Sequence, residues 1–360
     1  LLFPLLLLAV CLGCGLLVER VGGWRLRGGL LPSVGLGLVI VAATLTTSHE
    51  TTTHFTTAVV VILALAGYAS SWPRLRGLRP DPWPLAVGLA AFACCAAPVV
   101  LSGNATFLGY FVLNDSATHF LLIDQLLAHA HDLSGLRLSS YFSTLQTYLA
   151  SSYPTGADVA LGAIRPLAGQ DLAWIFQPYL AVIMALGAVA VYELLRGAVR
   201  SHPLRAACAF IASQSGLLFA YYLEASIKEV ATTWIITVTV VLVFVTLRRK
   251  FSLRSVLPLL IATVAGLDVL DLAIVPWLGP PLAVFVATTA WRSRHTVRTR
   301  EGARRLALTS AGAVALLAAL AAPLIGSAST FLYVTTGVLT RQADLGNLSA
   351  PLPHLSLIHI

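Results

Sequence analysis

Two stretches of this chain hold the side chains best suited to chemistry. The first runs Asn114-Asp115-Ser116-Ala117-Thr118-His119 and opens an apolar-periodic segment; the second runs Tyr221-Tyr222-Leu223-Glu224-Ala225-Ser226-Ile227-Lys228-Glu229. Asp115 falls at or just before the first turn of an expected helix, where the positive end of the helix dipole favours its ionised form, and His119 shares its face four residues on. An ionised carboxylate beside an acceptor hydroxyl can take its proton as a general base. Asn, Asp and Ser are also the commonest helix caps, so capping and catalysis both stand for Asp115 at this stage. In the second stretch Glu224 and Lys228 read as an i,i+4 ion pair if helical, whereas Lys228 with Glu229 offers a phosphate-binding cation beside an acid.

Further polar groups surround the first stretch. His129, His131 and Asp132 follow its helix, and Ser151-Ser152-Tyr153-Pro154-Thr155-Gly156 is a turn signal before a second amphipathic helix over about 157–168 that carries Asp158 and Arg165. Tyr153, Trp174 and Tyr179 suit an interfacial aromatic belt. Asp268 and Asp271 lie one turn apart at the end of an apolar run. Two such carboxylates can bind a cation or contact a sugar, yet solvation at an aqueous mouth is the expectation. The five cysteines, Cys11, Cys14, Cys94, Cys95 and Cys208, sit inside apolar runs and read as small apolar residues, not as a disulfide or zinc framework.

The elements that position these residues are membrane spans. The chain of 360 residues is 58% hydrophobic and 11% charged, against about a quarter charged in soluble domains. Nineteen of the 23 Lys and Arg residues form five clusters between apolar stretches: Arg20/Arg25/Arg27, Arg74/Arg76/Arg79, Arg196/Arg200/Arg205, Arg248/Arg249/Lys250/Arg254 and the six from Arg292 to Arg305. Eleven of the 15 Asp and Glu residues fall in the intervening gaps. Short basic loops stay cytoplasmic, so carboxylate chemistry belongs on the extracytoplasmic side. The net charge of +8 is dispersed along a membrane face that carries anionic lipid, which excludes nucleic acid as a partner.

The resulting fold class is all-α, a polytopic bundle of about ten spans over residues 1–18, 30–47, 56–72, 84–102, 173–195, 204–222, 231–247, 255–269, 275–291 and 306–325. The pair 255–291 is short and reads as two crossings or a re-entrant hairpin. The domain division is 1–102 amino-terminal spans, 103–172 a large extracytoplasmic loop with juxtamembrane amphipathic helices, 173–325 further spans, and 326–360 a truncated extracytoplasmic segment. A start at Leu1 without Met, and final residues Leu355 to Ile360 resembling adapter read-through, are what a piece of a longer protein would show. A bias to Arg over Lys suggests a GC-rich bacterial genome.

A span, an outer loop opening with an Asp-bearing helix, and a Pro-containing turn at Tyr153-Pro154 together resemble the GT-C superfamily of integral-membrane glycosyltransferases. Relatives in that superfamily include protein O-mannosyltransferases and aminoarabinose transferases acting on lipid A, and long actinobacterial multi-span proteins are similar in type. The resemblance covers roughly 84–250, and Ser116 stands where the family usually has Glu after the Asp. It implies transfer of a sugar from a polyprenyl-phosphate donor to a cell-envelope glycan, lipid or protein acceptor. The active site would be on the extracytoplasmic side of the plasma (inner) membrane, and membrane lipid would be a partner. Under it Asp115 is the general base with His119 beside it. Glu224 or Glu229 orients the acceptor or holds a divalent cation, and Lys228, Arg165 and Tyr153 bind the donor. Mg²⁺ or Mn²⁺ is compatible but not required, and no metal ligand is assigned. Two rival classes are a transporter or lipid flippase, which would bury ionisable groups within the spans, and a noncatalytic envelope-assembly protein.

Overall fold

The computed structural model describes residues 2–77, 81–103 and 114–340, without the side chains of Asn114, Asp115 and several residues between 327 and 340. Helices make up all its regular structure, with no strand among the described residues. The amino-terminal part comprises α1 (Leu2–Gly22), α2 (Leu31–Thr47), the single turn α3 (Glu50–Thr53), α4 (Thr56–Ser70), α5 (Trp72–Arg76) and α6 (Pro82–Ser102). Next come α7 (Asn114–His129), α8 (Ser140–Ala150) and α9 (Gly156–Ala168). The remainder consists of α10 (Leu172–Leu194), α11 (His202–Ser213), α12 (Gly216–Leu223), α13 (Ile227–Thr246), α14 (Leu253–Leu270), α15 (Val275–Ser293), α16 (Arg300–Leu320) and α17 (Ala322–Thr340).

Seven helical segments are long and apolar enough to cross a bilayer, and α11 with α12, bent by 57° at their junction, makes an eighth. At 15 residues α4 is shorter, spanning about 22 Å. The longest segment, Leu253–Ser293, would reach about 60 Å if straight, twice the hydrocarbon thickness. It folds back instead: Asp271 takes φ +51° between its arms, the Phe251 and Phe285 rings lie 6.5 Å apart, and Arg292 donates to the Leu247 carbonyl. The arms α14 and α15 therefore form a hairpin. Leu65, Leu89, Leu101, Val286 and Val314 are exposed on outward faces. Such an apolar perimeter is stable only in a lipid solvent, and the protein is a membrane-embedded helical bundle.

Glycine sets the closest contacts. A Cβ on Gly35 of α2 would lie 1.6 Å from the Cys11 carbonyl oxygen of α1, and one on Gly67 of α4 would lie 1.8 Å from that of Gly13. Without a hydrophobic force between helices in lipid, such backbone approach supplies the packing attraction.

The described residues of all five basic clusters lie at one end of the bundle. Glu19 is buried there, bonded to Arg74 at 3.0 Å and accepting from the Leu26 amide at 2.8 Å. Glu193 is also buried and pairs with Arg27 and Arg196, each at 3.1 Å. Arg249 lies over the Trp24 ring, and Arg292 reaches Leu247 beside the fourth cluster. The other two acids on this side, Asp81 and Glu301, pair with Arg196 and Arg305. Every acid that breaks the charge alternation is thus tied to a cluster arginine.

The opposite end is closed by the stretch expected to be a loop of membrane-hugging helices. There the expected helix is present as α7, described from Asn114 onward, and Thr53 donates to the Leu126 carbonyl at 2.6 Å, joining α3 to α7. An unexpected helix, α8, starts where Ser139 accepts from the Phe142 amide. Nine consecutive residues of α9, Gly156 through Ile164, are buried, so this helix is inserted among α2, α4, α7, α10 and α14 rather than lying on the surface. Beyond α16, α17 runs through the expected boundary at 325/326.

Candidate functional site

The candidate site lies at the end away from the basic clusters. A cleft of about 750 Å³ opens there between the end of α2 and the turn that follows it (Thr44 to His49), the turn from α8 to α9 (Leu149 to Gly156), the tip of the α14/α15 hairpin and the start of α17. Tyr153, His49, His131, Asp268 and Asp271 all line it.

Tyr153 is its hub. Its half-buried ring has the Lys228 Nζ 4.2 Å from the centroid, the Tyr148 ring edge-on at 4.9 Å and the His119 ring tilted at 6.4 Å. His119 is buried and its Nδ1 lies 2.8 Å from Oδ1 of Asp158, which is wholly buried in the first turn of α9. Phe176 packs against both His119 and Phe120, at 6.0 and 5.3 Å between centroids. Hydrogen bonds from α10 hold the frame: Tyr179 donates to the Ala157 carbonyl at 3.1 Å, and Gln177 donates to that of Tyr222 at 2.8 Å. His119, Tyr153 and Lys228, drawn from three separate elements, thus converge. The Asp115 side chain lies outside the described residues; its backbone stands one turn before His119 in α7.

Several expectations are corrected. Glu224 and Lys228 do not form a helical pair, because α12 ends at Leu223, Ala225 takes φ +59° and α13 begins at Ile227. Among the described residues Lys228 has no carboxylate partner, Glu224 is exposed, and Glu229 is half-buried in the first turn of α13. Arg165 belongs elsewhere: it bonds Asp124, approaches Asp171 at 3.9 Å, and lines a second cleft of about 580 Å³ that shares no residue with the first. Tyr179 is buried in the core, whereas Trp174 is half exposed as a belt residue would be.

Asp268 and Asp271, expected to be solvated, are 2% and 1% exposed. Asp271 Oδ1 accepts from the Leu272 amide at 2.5 Å, whereas neither oxygen of Asp268 has a partner among the described residues. The burial follows from Gly156, where a Cβ would lie 2.6 Å from the Asp268 carbonyl oxygen; α9 presses its amino end directly onto α14.

At the rim His131 keeps an exposed edge. The atoms packed around it desolvate the ring and His49 adds repulsion, so its pKa is lowered. Asp132, outside the cleft, is pulled below the usual carboxylate range by hydrogen bonds from the Ser134 amide and hydroxyl.

Asp158 was named on its helix in the sequence but given no functional role. Its signal was the run Gly-Ala-Asp-Val-Ala-Leu-Gly-Ala-Ile, apolar on every side but for one acid, which marks a helix buried all round with a carboxylate in need of a partner. No group of three or more His, Cys, Asp or Glu side chains among the described residues is placed to hold a metal ion. No family model, curated protein or solved structure matches the chain.

Proposed function

We propose that this protein is a membrane glycosyltransferase moving a sugar from a polyprenyl-phosphate donor to a cell-envelope acceptor, with the Tyr153 cleft as its extracytoplasmic active site. The observation that carries the reading is the meeting of His119, Asp158, Tyr153 and Lys228, from α7, α9, the intervening turn and α13, at the end of the bundle away from every basic cluster. The finer topology adopted is ten passes: α1, α2, α4, α6, α10, the bent α11/α12 pair, α13, α14, α15 and α16. The basic end is cytoplasmic by the distribution of Arg and Lys.

In this reading the acceptor hydroxyl oxygen attacks the anomeric carbon and its proton passes to the Asp115 carboxylate. The bond from that carbon to the phosphate oxygen breaks with inversion, both electrons leaving on the phosphate. Lys228, held over Tyr153 and free of a carboxylate partner among the described residues, balances the charge that develops there. The buried Asp158 fixes the imidazole of His119 one turn from Asp115. Glu229, in the first turn of α13, and Glu224 before it contact the acceptor. No nucleotide is needed, because the donor arrives lipid-linked, and Mg²⁺ or Mn²⁺ is compatible with the reaction but not required by it.

The test is transfer of labelled sugar from a synthetic polyprenyl-phosphate donor to envelope extract by the protein in liposomes. Asp115→Asn should abolish transfer while leaving yield and melting temperature unchanged; near wild-type turnover would remove Asp115 as the base. One observation favours a second reading, a transporter or flippase: Asp268 is buried near the tip of a membrane hairpin without a partner among the described residues. That reading requires Asp268-dependent movement of lipid or solute across liposomes in the absence of any transfer product.

A further inference from the structure

We propose, resting on the transferase reading, that the floor of the Tyr153 cleft is a carbohydrate subsite in which Asp268 and Thr44 bind the hydroxyl groups of the sugar being moved. Three buried oxygens there, Thr44 Oγ1 and both carboxylate oxygens of Asp268, have no hydrogen-bond partner among the described residues, and both side chains line the same cleft. Asp268 is 98% buried by its 2% exposure. A carboxyl group with neither oxygen hydrogen-bonded in such surroundings is unfavourable whether ionised or neutral, so the arrangement fits an occupant that supplies polar hydrogens and lone pairs.

The chemistry narrows that occupant. A carboxyl group accepts through its oxygens and, when protonated, also donates one hydrogen bond, while a threonine hydroxyl both donates and accepts, a mixture that sugar hydroxyls match. Adjacent hydroxyls of a pyranose can donate to the two oxygens of Asp268 and exchange a hydrogen bond with Thr44. A hard divalent cation asks for about six oxygen ligands, and no cluster of three or more acidic, His or Cys side chains is available among the described residues. The cleft, at about 750 Å³, falls in the roughly 300–1,000 Å³ range of small-molecule sites. Tyr153 adds a ring to its wall, as apolar sugar faces require.

The geometry around Asp268 is also fixed in advance. Asp271 holds φ +51° and ψ −149°, a region that glycine alone occupies readily, and so sets the turn beside it. On the other side Gly156 admits the amino end of α9 against the Asp268 backbone. A strained turn and a glycine contact on either side of one unpartnered acid hold it ready for a ligand.

The experiment uses the full chain in detergent and saturation-transfer NMR with methyl pyranosides of gluco, manno and galacto configuration as probes. Melting curves with Mg²⁺ or Mn²⁺ run in parallel. At least one pyranoside should receive saturation, with affinity about threefold or more weaker in Asp268→Asn, the scale of a lost hydrogen bond. The isosteric Thr44→Val should weaken it too at an unchanged melting temperature, and it carries the test if Asp268→Asn fails to fold. Arg165→Met, in the cleft that shares no residue with this one, should keep pyranoside binding. Failure of every pyranoside to bind, or equal binding to both cleft variants, overturns the subsite, and so does Asp268-dependent stabilisation by Mg²⁺ or Mn²⁺ without pyranoside binding. None of those results touches the transfer assay on Asp115→Asn, so the two proposals fail separately.

Discussion

Lys228→Met separates a catalytic cation from a structural one. The ammonium lies 4.2 Å from the Tyr153 centroid and has no ion pair among the described residues. Its contribution to stability is that of one cation–π contact, about 0.5–1 kcal/mol at a partly exposed site. If the same charge meets the departing phosphate, its loss removes a charge-assisted hydrogen bond of about 1.5–3 kcal/mol from the transition state. By the exponential dependence of rate on barrier, that is about 10- to 150-fold in kcat/KM. The expected signature is an asymmetry: transfer falls by one to two orders of magnitude while the melting temperature moves by no more than about 4 °C. Lys228→Arg, which keeps the charge, should recover part of the rate. The assay is initial-rate transfer from polyprenyl-phosphate-linked sugar, paired with a melt of each variant. Activity within about threefold of wild type, or a rate loss that tracks a large fall in melting temperature, would refute the reasoning.

Three further outcomes are expected. Gly35→Ala would place a Cβ 1.6 Å from the Cys11 carbonyl oxygen, where backbone cannot yield, while Gly37→Ala two residues along would meet only side chains at 3.6–3.7 Å. The first should lose about 1–3 kcal/mol of stability or fail to express and the second should melt normally, so equal melts would contradict the packing account. Arg165→Met removes pairs to the exposed Asp124 and Asp171, worth at most about 1 kcal/mol, and should leave transfer within about twofold; a tenfold loss would return Arg165 to the active site. His131 has a lowered pKa in the fold, so below its ordinary value near about 6.5 the unfolded chain binds a proton that the folded chain does not. Stability contributed at this residue therefore declines as pH falls through that window, and His131→Gln should lose less melting temperature between pH 7.5 and 5 than wild type. Parallel losses would show that His131 does not carry the effect.

The bundle was legible in the sequence because its two determinants are local. Apolar length defines each helix, and the alternation of basic clusters with acids defines which ends meet, down to Arg249 over Trp24 and Arg27 on Glu193. His119, Tyr153 and Lys228 could be nominated for the same reason: each sits at a helix start or turn on the acidic side. What escaped depends on contacts between distant segments. Whether Asp268 meets water or protein is decided by α9, which presses Gly156 onto it from more than a hundred residues away. Arg165 sits two turns along α9 from Asp158, so the helix that delivers Asp158 to His119 carries Arg165 to another cleft. The Glu224–Lys228 spacing suggested a pair only while the helix was taken as continuous, and the left-handed Ala225 interrupts it. In α8, Tyr, Phe, Ser and Thr have weak helix propensity, so the cap at Ser139 was the one local cue.

The central claim is that a lipid-linked sugar sits in the Tyr153 cleft, and photo-crosslinking tests it most directly. A polyprenyl-phosphate sugar bearing a diazirine on the sugar would be irradiated with the full chain in liposomes and the adducts mapped by mass spectrometry. The account predicts labels on the Leu149 to Gly156 turn and the Asp268 to Asp271 tip, competed by unmodified donor. Labels confined to the basic end, around Thr246 to Phe251, or uncompeted labels scattered over the apolar perimeter, would contradict it.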